Sequence, residues 1–311
     1  MRFRTNITNI ETFIKIIQSV EKLQKRCTIK LCEQEIRVIC NGDANEGGIQ
    51  VWSSIKASSL FTDYRVQSNS SNEIVITLSS EALLAALRSA AGPGQESKNL
   101  FSGRDTKVVM KLAKNRDRES VLALDITSTN ALGKTMTIVQ QLVIDVAKHA
   151  EIERLREPMC PEPDVHILLP PLAKLRAVID RLKPLANDGI SFRANHSGDL
   201  QLSVSTDNAR VEIAWTGLSN PPMTRDPAGQ GQGSQASQAQ SEEEKDPKQL
   251  HGVLVSHKAL SRFLNSHVVS TTTIACICSG HCMILYVYIG SIADAGGVLT
   301  FYIPAQFDDK F

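Results

Sequence analysis

The sequence lacks an excess of charge of either sign. Its 311 residues carry 34 Lys and Arg against 33 Asp and Glu, a formal net charge of +1. A bulk positive field that would draw the protein to nucleic acids is therefore absent, and any basic surface has to be local. Hydrophobic residues make up 42% of the chain, enough for about two ordinary domains with their own cores. That composition excludes disorder, collagen and coiled coil as the main class.

Signatures of catalysis are also missing. Gly133, Lys134 and Thr135 look like the end of a phosphate-binding loop, but Ser128 stands where that loop needs its first glycine. Neither the Gly-x-Ser-x-Gly turn of hydrolases nor a glycine-rich dinucleotide fingerprint after a strand occurs. The sequence therefore predicts a protein that is not an enzyme, with no catalytic residue and no cofactor.

The cysteines do not form an obvious disulfide or metal framework. There are seven, an odd number, and the N-terminus lacks the apolar stretch of a secretory signal, so we expect a reducing compartment. Cys276, Cys278, His281 and Cys282 are the best candidate metal cluster, but they lack the two-residue gap typical of structural zinc. Since Cys276 and Cys278 fall on one face of a strand, we interpret them as small buried hydrophobic residues and predict no metal.

One stretch, residues 271–293, lacks any formal charge and is about as long as a membrane helix. Polar residues and glycines interrupt it, and its Val, Ile, Thr and Tyr favour strands. With Ser279 and Gly280 as a two-residue turn, the flanks TTTIACIC and HCMILYVYI predict a β-hairpin rather than a membrane span.

Four amphipathic helices recur at regular places in a chain that otherwise reads as short strands. The apolar spacing predicts them over residues 10–26, 81–91, 172–186 and 257–267, the first with a capping box at Thr8 and Glu11. Each helix follows one strand and precedes several. The order β-α-β-β-β therefore occurs four times, twice in each half, which predicts an α+β fold.

Two segments break the strand pattern. Residues 148–164 contain five acidic residues and three prolines, which suggests an extended connector between a domain at 1–147 and a domain at 165–311. Residues 221–249 are rich in Gly, Gln, Ser and Pro, and we expect them to be a disordered insert in the second domain.

Basic residues recur on the polar faces of all four helices. On one helix such a stripe is usually a solvated face, but the same arrangement on equivalent helices of a repeated unit predicts one merged basic surface. The candidate DNA-facing residues are Lys15, Lys22, Lys25, Arg26, Arg88, Lys174, Arg181, Lys258 and Arg262.

The fourfold unit and its two halves resemble the DNA sliding clamps typified by proliferating cell nuclear antigen. The segments REPMCPEPDVHILLPPLAKLRAVIDRL, GDANEGGIQVWSSI, GLSNPP and TFYIPAQF are, in this order of strength, similar to the Hus-one subunits of the heterotrimeric checkpoint clamp, the nine-one-one clamp. The resemblance implies a ring of three related subunits, with helices lining the hole and sheets outside. It also implies two sister subunits, encircled double-stranded DNA bound without sequence preference, and a nuclear protein that can have a cytoplasmic pool.

The resemblance further implies where partners bind. An ATP-dependent checkpoint clamp loader would open the ring, and repair and checkpoint proteins would dock on its outside. Ile152 and Leu155 in the connector would line a partner groove, or they merely anchor the connector to the sheet. Ring closure would pair edge strands at residues 120–127 and 199–205, with the interface residues Val121, Leu122, Ala123, Leu124, Leu200, Gln201, Leu202 and Ser203.

Two other functions stay open at this point. A homotrimeric replication clamp would have the same fold and the same basic helices, and would differ only in the self-complementarity of its edges. A metal-dependent nuclease or hydrolase would use the cysteine cluster instead.

Overall fold

In the computed structural model every long helix follows a strand and precedes three more, so β-α-β-β-β occurs four times. One extra helix and strand, α2 and β5, stand between the first and second units. The structure describes residues 1–41, 48–69, 71–92, 106–129, 135–185, 189–206, 208–221, 246–269, 272–290, 292 and 295–306. The first half has the elements β1 Arg2–Ile7, α1 Ile10–Glu21, β2 Arg26–Leu31, β3 Glu35–Asn41, β4 Gln50–Lys56, α2 Ala57–Leu60, β5 Phe61–Gln67, β6 Ile74–Ser79, α3 Ser80–Ala91, β7 Thr106–Lys114, β8 Ser120–Thr129, β9 Thr135–Val143 and β10 Asp145–Val146.

The second half repeats this order with shorter elements. After the short α4 at His149–Ile152 come β11 Val165–Leu168, α5 Leu172–Leu182, β12 Gly189–Ala194, β13 Leu200–Ser205, β14 Arg210–Trp215, β15 His251–Ser256, α6 His257–Phe263, a 3-10 helix at Leu264–Val268, β16 Thr273–Cys278, β17 Cys282–Ile289 and β18 Gly297–Pro304. No strand lies between Val146 and Val165. The domain bounds 1–147, 148–164 and 165–311 stay a prediction, and most of the segment 221–249 lies outside the described residues.

Three antiparallel sheets carry the helices. Their strand orders are β5-β1-β7-β8-β9, β10-β6-β2-β3-β4-β18-β17-β16-β11 and β14-β13-β12-β15. The nine-stranded sheet joins the two halves, because β18 pairs with β4 from Gly297 opposite Ile55 onward. A Cβ on Gly297 would lie 2.7 Å from the Cα of Ile55, so the close approach of these strands requires glycine.

The helices form one layer over the sheets. Contacts run from α3 to α1, from α1 to the 3-10 helix, and from α6 and the 3-10 helix to α5. Phe13, Ile17 and Val20 of α1 are fully buried beneath this layer, as are Leu175 and Ile179 of α5. The apolar spacing that predicted the helices is therefore the spacing of their core faces.

The helix ends differ from the predicted ones. Asn9, rather than Thr8 with Glu11, caps α1, and its Oδ1 accepts from the backbone N–H of Thr12 at 3.2 Å. Helix α1 ends at Glu21 and α5 at Leu182, shorter than predicted, while the fourth helix narrows to a 3-10 turn after Phe263. At α1 the amphipathic pattern continues past the helix, but residues from Arg26 onward pair with β6 and form strand β2.

The predicted hairpin in the uncharged stretch is confirmed. Strands β16 and β17 pair in antiparallel register, with Cys278 opposite Cys282. The turn therefore has three residues, Ser279, Gly280 and His281, instead of two. Gly280 has φ of 68°, a conformation that glycine adopts without strain. Among the described residues, no helix has both the length and the apolar character that crossing a membrane demands.

Candidate nucleic-acid interface and assembly edges

Five predicted DNA-facing residues lie exposed on the helix layer. They are Lys15 on α1, Arg88 on α3, Lys174 and Arg181 on α5, and Lys258 on α6. Within the described parts of the chain, none of these five has a carboxylate within salt-bridge distance. Their charges are therefore uncompensated locally and available to an anionic ligand.

Lys22 and Lys25 lie just beyond α1 in the turn that leads to β2. The Lys22 Nζ is 3.2 Å from a carboxylate oxygen of Glu21. The backbone oxygen of Lys25 accepts from the N–H of Ser80, which ties this turn to the start of α3. Both lysines are exposed and remain beside the helix layer, although neither is helical.

Arg26 does not belong to this surface. It is the first residue of β2, where Cys27, Ile29 and Leu31 point into the core beneath the helices. Because side chains alternate along a strand, Arg26 points to the opposite face of the sheet. There its guanidinium forms an ion pair with Asp145 of β10. The prediction that Arg26 joins the helix stripe is wrong, because it extended the helical period into a strand.

A groove of about 360 Å³ crosses the helix layer between α1, α3, α5 and the 3-10 helix. Lys22 and Arg88 line it, together with Arg176, which the sequence reasoning missed. Arg176 lies two positions from Lys174, off the predicted stripe, and its Nη1 is 3.5 Å from the Nδ1 of His267. Only the packing of α5 against the 3-10 helix reveals it. Arg262 is half-buried, so it contributes less to the surface than predicted.

The basic charge of the helix layer is unequal between the halves. From Leu172 to Lys183 there are four basic residues against one acidic, and α6 has two basic and none acidic. In the first half, residues 10–25 have three basic against two acidic, and α3 has one of each. The second-half helices therefore carry a net charge of +5 and the first-half helices +1.

The free sheet edges lie one strand beyond the predicted ones. Strand β8 pairs with both β7 and β9, so Val121, Leu122, Ala123 and Leu124 are interior and buried. Likewise β13 pairs with both β12 and β14. The prediction that residues 120–127 and 199–205 are edges is wrong. The correction applies equally to Leu200, Gln201, Leu202 and Ser203. In each half the chain adds one further strand after the predicted edge.

The edge strand β9 has an unusual composition. Its nine residues include no charge, and its exposed apolar side chains are Met136, Ile138, Val139 and Val143. Long uncharged edges are normally avoided because they pair with other chains. The edge strand β14 differs, since it carries Arg210 and Glu212, which form an ion pair at 3.3 Å.

A second groove, of about 310 Å³, lies on the sheet face that Arg26 occupies. Arg26, Asp145, Glu151 and Leu155 are among its lining residues. Leu155 is half-buried, and its N–H donates to the carbonyl of Ile152 at 3.0 Å. Ile152 is half-buried but does not line this groove. The structure thus associates Leu155 with a groove, while the partner role of both residues stays a prediction.

Comparison with known proteins agrees with this architecture. The chain superposes on proliferating cell nuclear antigen from Entamoeba histolytica with a TM-score of 0.66 at 14% identity, covering 98% of this chain and 99% of that one. It matches the PCNA2-PCNA3 complex from Sulfolobus tokodaii with a TM-score of 0.63 at 14% identity, covering 98% and 99% of the chains. The fold is therefore that of the DNA sliding clamps.

Sequence relatives define the family more narrowly. The chain is 34% identical to the checkpoint protein hus1 of Schizosaccharomyces pombe over 99% of its length and 100% of the relative. It is 24% identical to the checkpoint protein HUS1 of Homo sapiens, covering 98% and 99% of the two chains. The family model of Hus1-like proteins matches residues 1–306, so the chain belongs to the Hus1-like protein family.

Proposed function

We propose that this protein is a non-enzymatic subunit of a heterotrimeric, ring-shaped DNA clamp that acts in DNA-damage signalling and repair. The observation that carries the proposal is the continuous helix layer, on which exposed cations from both halves stand without carboxylate partners. Membership of the Hus1-like family and the sliding-clamp fold support the same function.

The cations of the helix layer suit contacts with phosphates rather than with bases. Lysine and arginine side chains on an exposed helix face neutralise backbone charge and carry no sequence information. A clamp held by topology needs only this weak attraction, because encirclement prevents dissociation. The modest net charge of the layer fits a protein that slides along the duplex.

The two free edges support ring closure with neighbours. Strand β9 offers uncharged backbone and apolar side chains, whereas β14 offers an ion pair of Arg210 and Glu212. Because the two surfaces differ, each subunit would present one edge to one neighbour and the other edge to a second, which is the head-to-tail contact that builds rings. Two sister clamp subunits would supply the matching edges.

The remaining partners follow from the same function. The sequence has no phosphate-binding loop, so opening of the ring would depend on a separate ATP-dependent loader. Repair and checkpoint proteins would bind the outer face, with the groove beside Leu155 as a candidate position. A clamp on chromosomal DNA acts in the nucleus.

Native mass spectrometry after co-expression with the two sister subunits tests the proposal. We expect an equimolar three-component ring, and we expect Val139→Asp on β9 to abolish it by placing a charge on the apolar edge. Thr62→Asp, an exposed position on the other edge strand β5 of the same sheet, is the matched control and should assemble. A persistent monomer would contradict the proposal, and a homotrimer formed by this chain alone would favour the replication clamp.

A further inference from the structure

Three potential metal ligands from separate parts of the chain meet on the outer face of the hairpin. The Sγ of Cys160, the Sγ of Cys282 and a ring nitrogen of His281 all lie within 4.8 Å of one another. Cys160 belongs to the connector, His281 to the hairpin turn and Cys282 to the start of β17. This is a different cluster from the one that the sequence suggested, since it gains Cys160 and excludes Cys276, whose Sγ lies 3.3 Å from the Nδ1 of His166.

A fourth thiol stands beside these three. Cys278 lies opposite Cys282 in the hairpin register, and the two side chains are hydrogen-bonded. The Cys278 Sγ also donates to the carbonyl oxygen of Pro161 at 3.5 Å, next to Cys160 in the chain. Rotation of the Cys278 side chain away from that carbonyl would turn its sulfur toward the other ligands.

The position of Cys160 is fixed by bonds on both sides of it. Before it, Glu157 accepts from the hydroxyl of Tyr302 at 2.7 Å. After it, Asp164 donates its N–H to the carbonyl of Ile277 and accepts at its carboxylate from the N–H of Ser279, both at 2.8 Å. Cys160 itself packs against the apolar cluster that includes Cys278 and Cys282. The connector therefore holds the thiol against the hairpin rather than in solvent.

The ligand atoms are close to the spacing of a tetrahedral site. Zinc binds sulfur at about 2.3 Å and nitrogen at about 2.0 Å, so ligand atoms around it stand about 3.5 to 3.8 Å apart. Separations of up to 4.8 Å close to that distance by small rotations of side chains. Three thiols and one imidazole form a known donor set for structural zinc, and the softness of sulfur disfavours magnesium and calcium.

The thiols already share a proton in a way that suits a cation. The hydrogen bond with Cys282 lowers the pKa of Cys278, and the same bond together with burial raises the pKa of Cys282. Burial raises the pKa of Cys160. A divalent cation would replace the shared protons and stabilise all three thiolates.

We propose that Cys160, His281 and Cys282, with Cys278 as the fourth ligand, bind one zinc ion that crosslinks the connector to the β16-β17 hairpin. The site goes beyond the clamp function and does not depend on it. Since its ligands come from both sides of more than a hundred residues of chain, the ion would restrain the connector against the sheet and stabilise the fold.

Cobalt substitution in the full-length chain tests this site. The chain, freed of any affinity tag and kept reduced with a phosphine, is reconstituted with Zn²⁺ or Co²⁺ and desalted. We expect one metal ion per chain and the thiolate charge-transfer and visible bands of tetrahedral cobalt. Cys160→Ser and His281→Ala should weaken binding by more than about tenfold, since losing even a residue that only orients a ligand can cost that much. Cys32→Ser, another half-buried cysteine, should bind normally.

Because His281 is exposed, His281→Ala should keep the fold, which circular dichroism will verify. Loss of the cobalt bands in a folded His281→Ala chain would support the site. A wild-type chain that stays metal-free after reconstitution would overturn it. So would cobalt that remains bound with unchanged affinity in both Cys160→Ser and His281→Ala.

Discussion

The two halves of the protein have the same element order but differently charged helix layers. The second-half helices carry a net charge of +5 and the first-half helices +1, although both halves bury an equivalent apolar stripe against the sheets. Phe13 and Ile17 of α1 and Leu175 and Ile179 of α5 are all fully buried. The repeated fold is therefore set by the core faces, and the charge on the exposed faces is free to differ.

The difference is local as well as numerical. In the first half Glu21 lines the central groove beside Lys22 and pairs with it at 3.2 Å. In the second half Lys174 and Arg181 have no carboxylate within that range among the described residues, and the single acidic residue of α5, Asp180, is 3.8 Å from Arg176. A duplex inside the ring would therefore meet its strongest cationic surface at α5 and α6.

The largest effect should follow loss of the α5 cations. We expect Lys174→Glu with Arg181→Glu to leave ring assembly intact but to weaken DNA binding strongly, because each lost phosphate contact lowers the slope of log K against log salt by about 0.9. Two contacts correspond to a fall of about 2 in that slope. Salt titration of DNA binding by the assembled ring measures it. An unchanged slope would show that α5 is only a solvated face.

A smaller effect should follow the matched change in the first half. Lys15→Glu with Lys22→Glu alters the same number of charges, but Lys22 is already partly neutralised by Glu21. We therefore expect the salt slope to fall by about 1 rather than 2. If the first-half pair lowers the slope as much as the second-half pair, the charge difference between the halves has no consequence for DNA.

The sequence was sufficient for the fold because local patterns encode it. The apolar spacing of α1, α3 and α5 predicted where these helices lie, and the alternating runs predicted most of the strands. It failed where two patterns overlap, as at Arg26, whose spacing continues the helical stripe although it pairs as a strand. The sheet edges were misplaced because pairing partners are not visible in a single strand.

The functional residues were less predictable than the fold. Arg176 enters the central groove only through the packing of α5 against the 3-10 helix, which no local spacing reveals. Cys160 meets Cys282 across more than a hundred residues, and the sequence pattern had paired Cys282 with Cys276 instead. Sites formed by distant segments require the tertiary structure.

A modest gain should follow removal of the acidic residue from the central groove. Glu21→Gln deletes one negative charge next to Lys22 and keeps the size of the side chain, so it brings the first half closer to the second. We expect the salt slope to rise by less than about 1, with little change in the free energy of unfolding, because exposed ion pairs contribute about 1 kcal/mol or less. Salt titration and chemical denaturation of the variant measure the two quantities. Weaker DNA binding would contradict the assignment of this groove to DNA.

The smallest effect on DNA should come from Arg26, which separates the two faces of the first half. Its side chain lies on the sheet face away from the helices and pairs with Asp145, so Arg26→Ala should leave the salt slope of the assembled ring unchanged. Lys22→Ala, only four residues earlier but beside the helix layer, is the matched control and should lower that slope by a fraction of one contact. Both residues carry one positive charge and are exposed, so any difference between the variants reflects the face alone. An equal fall in slope for both would mean that DNA contacts the sheet face, and the helix layer would lose its claim to be the DNA-binding surface.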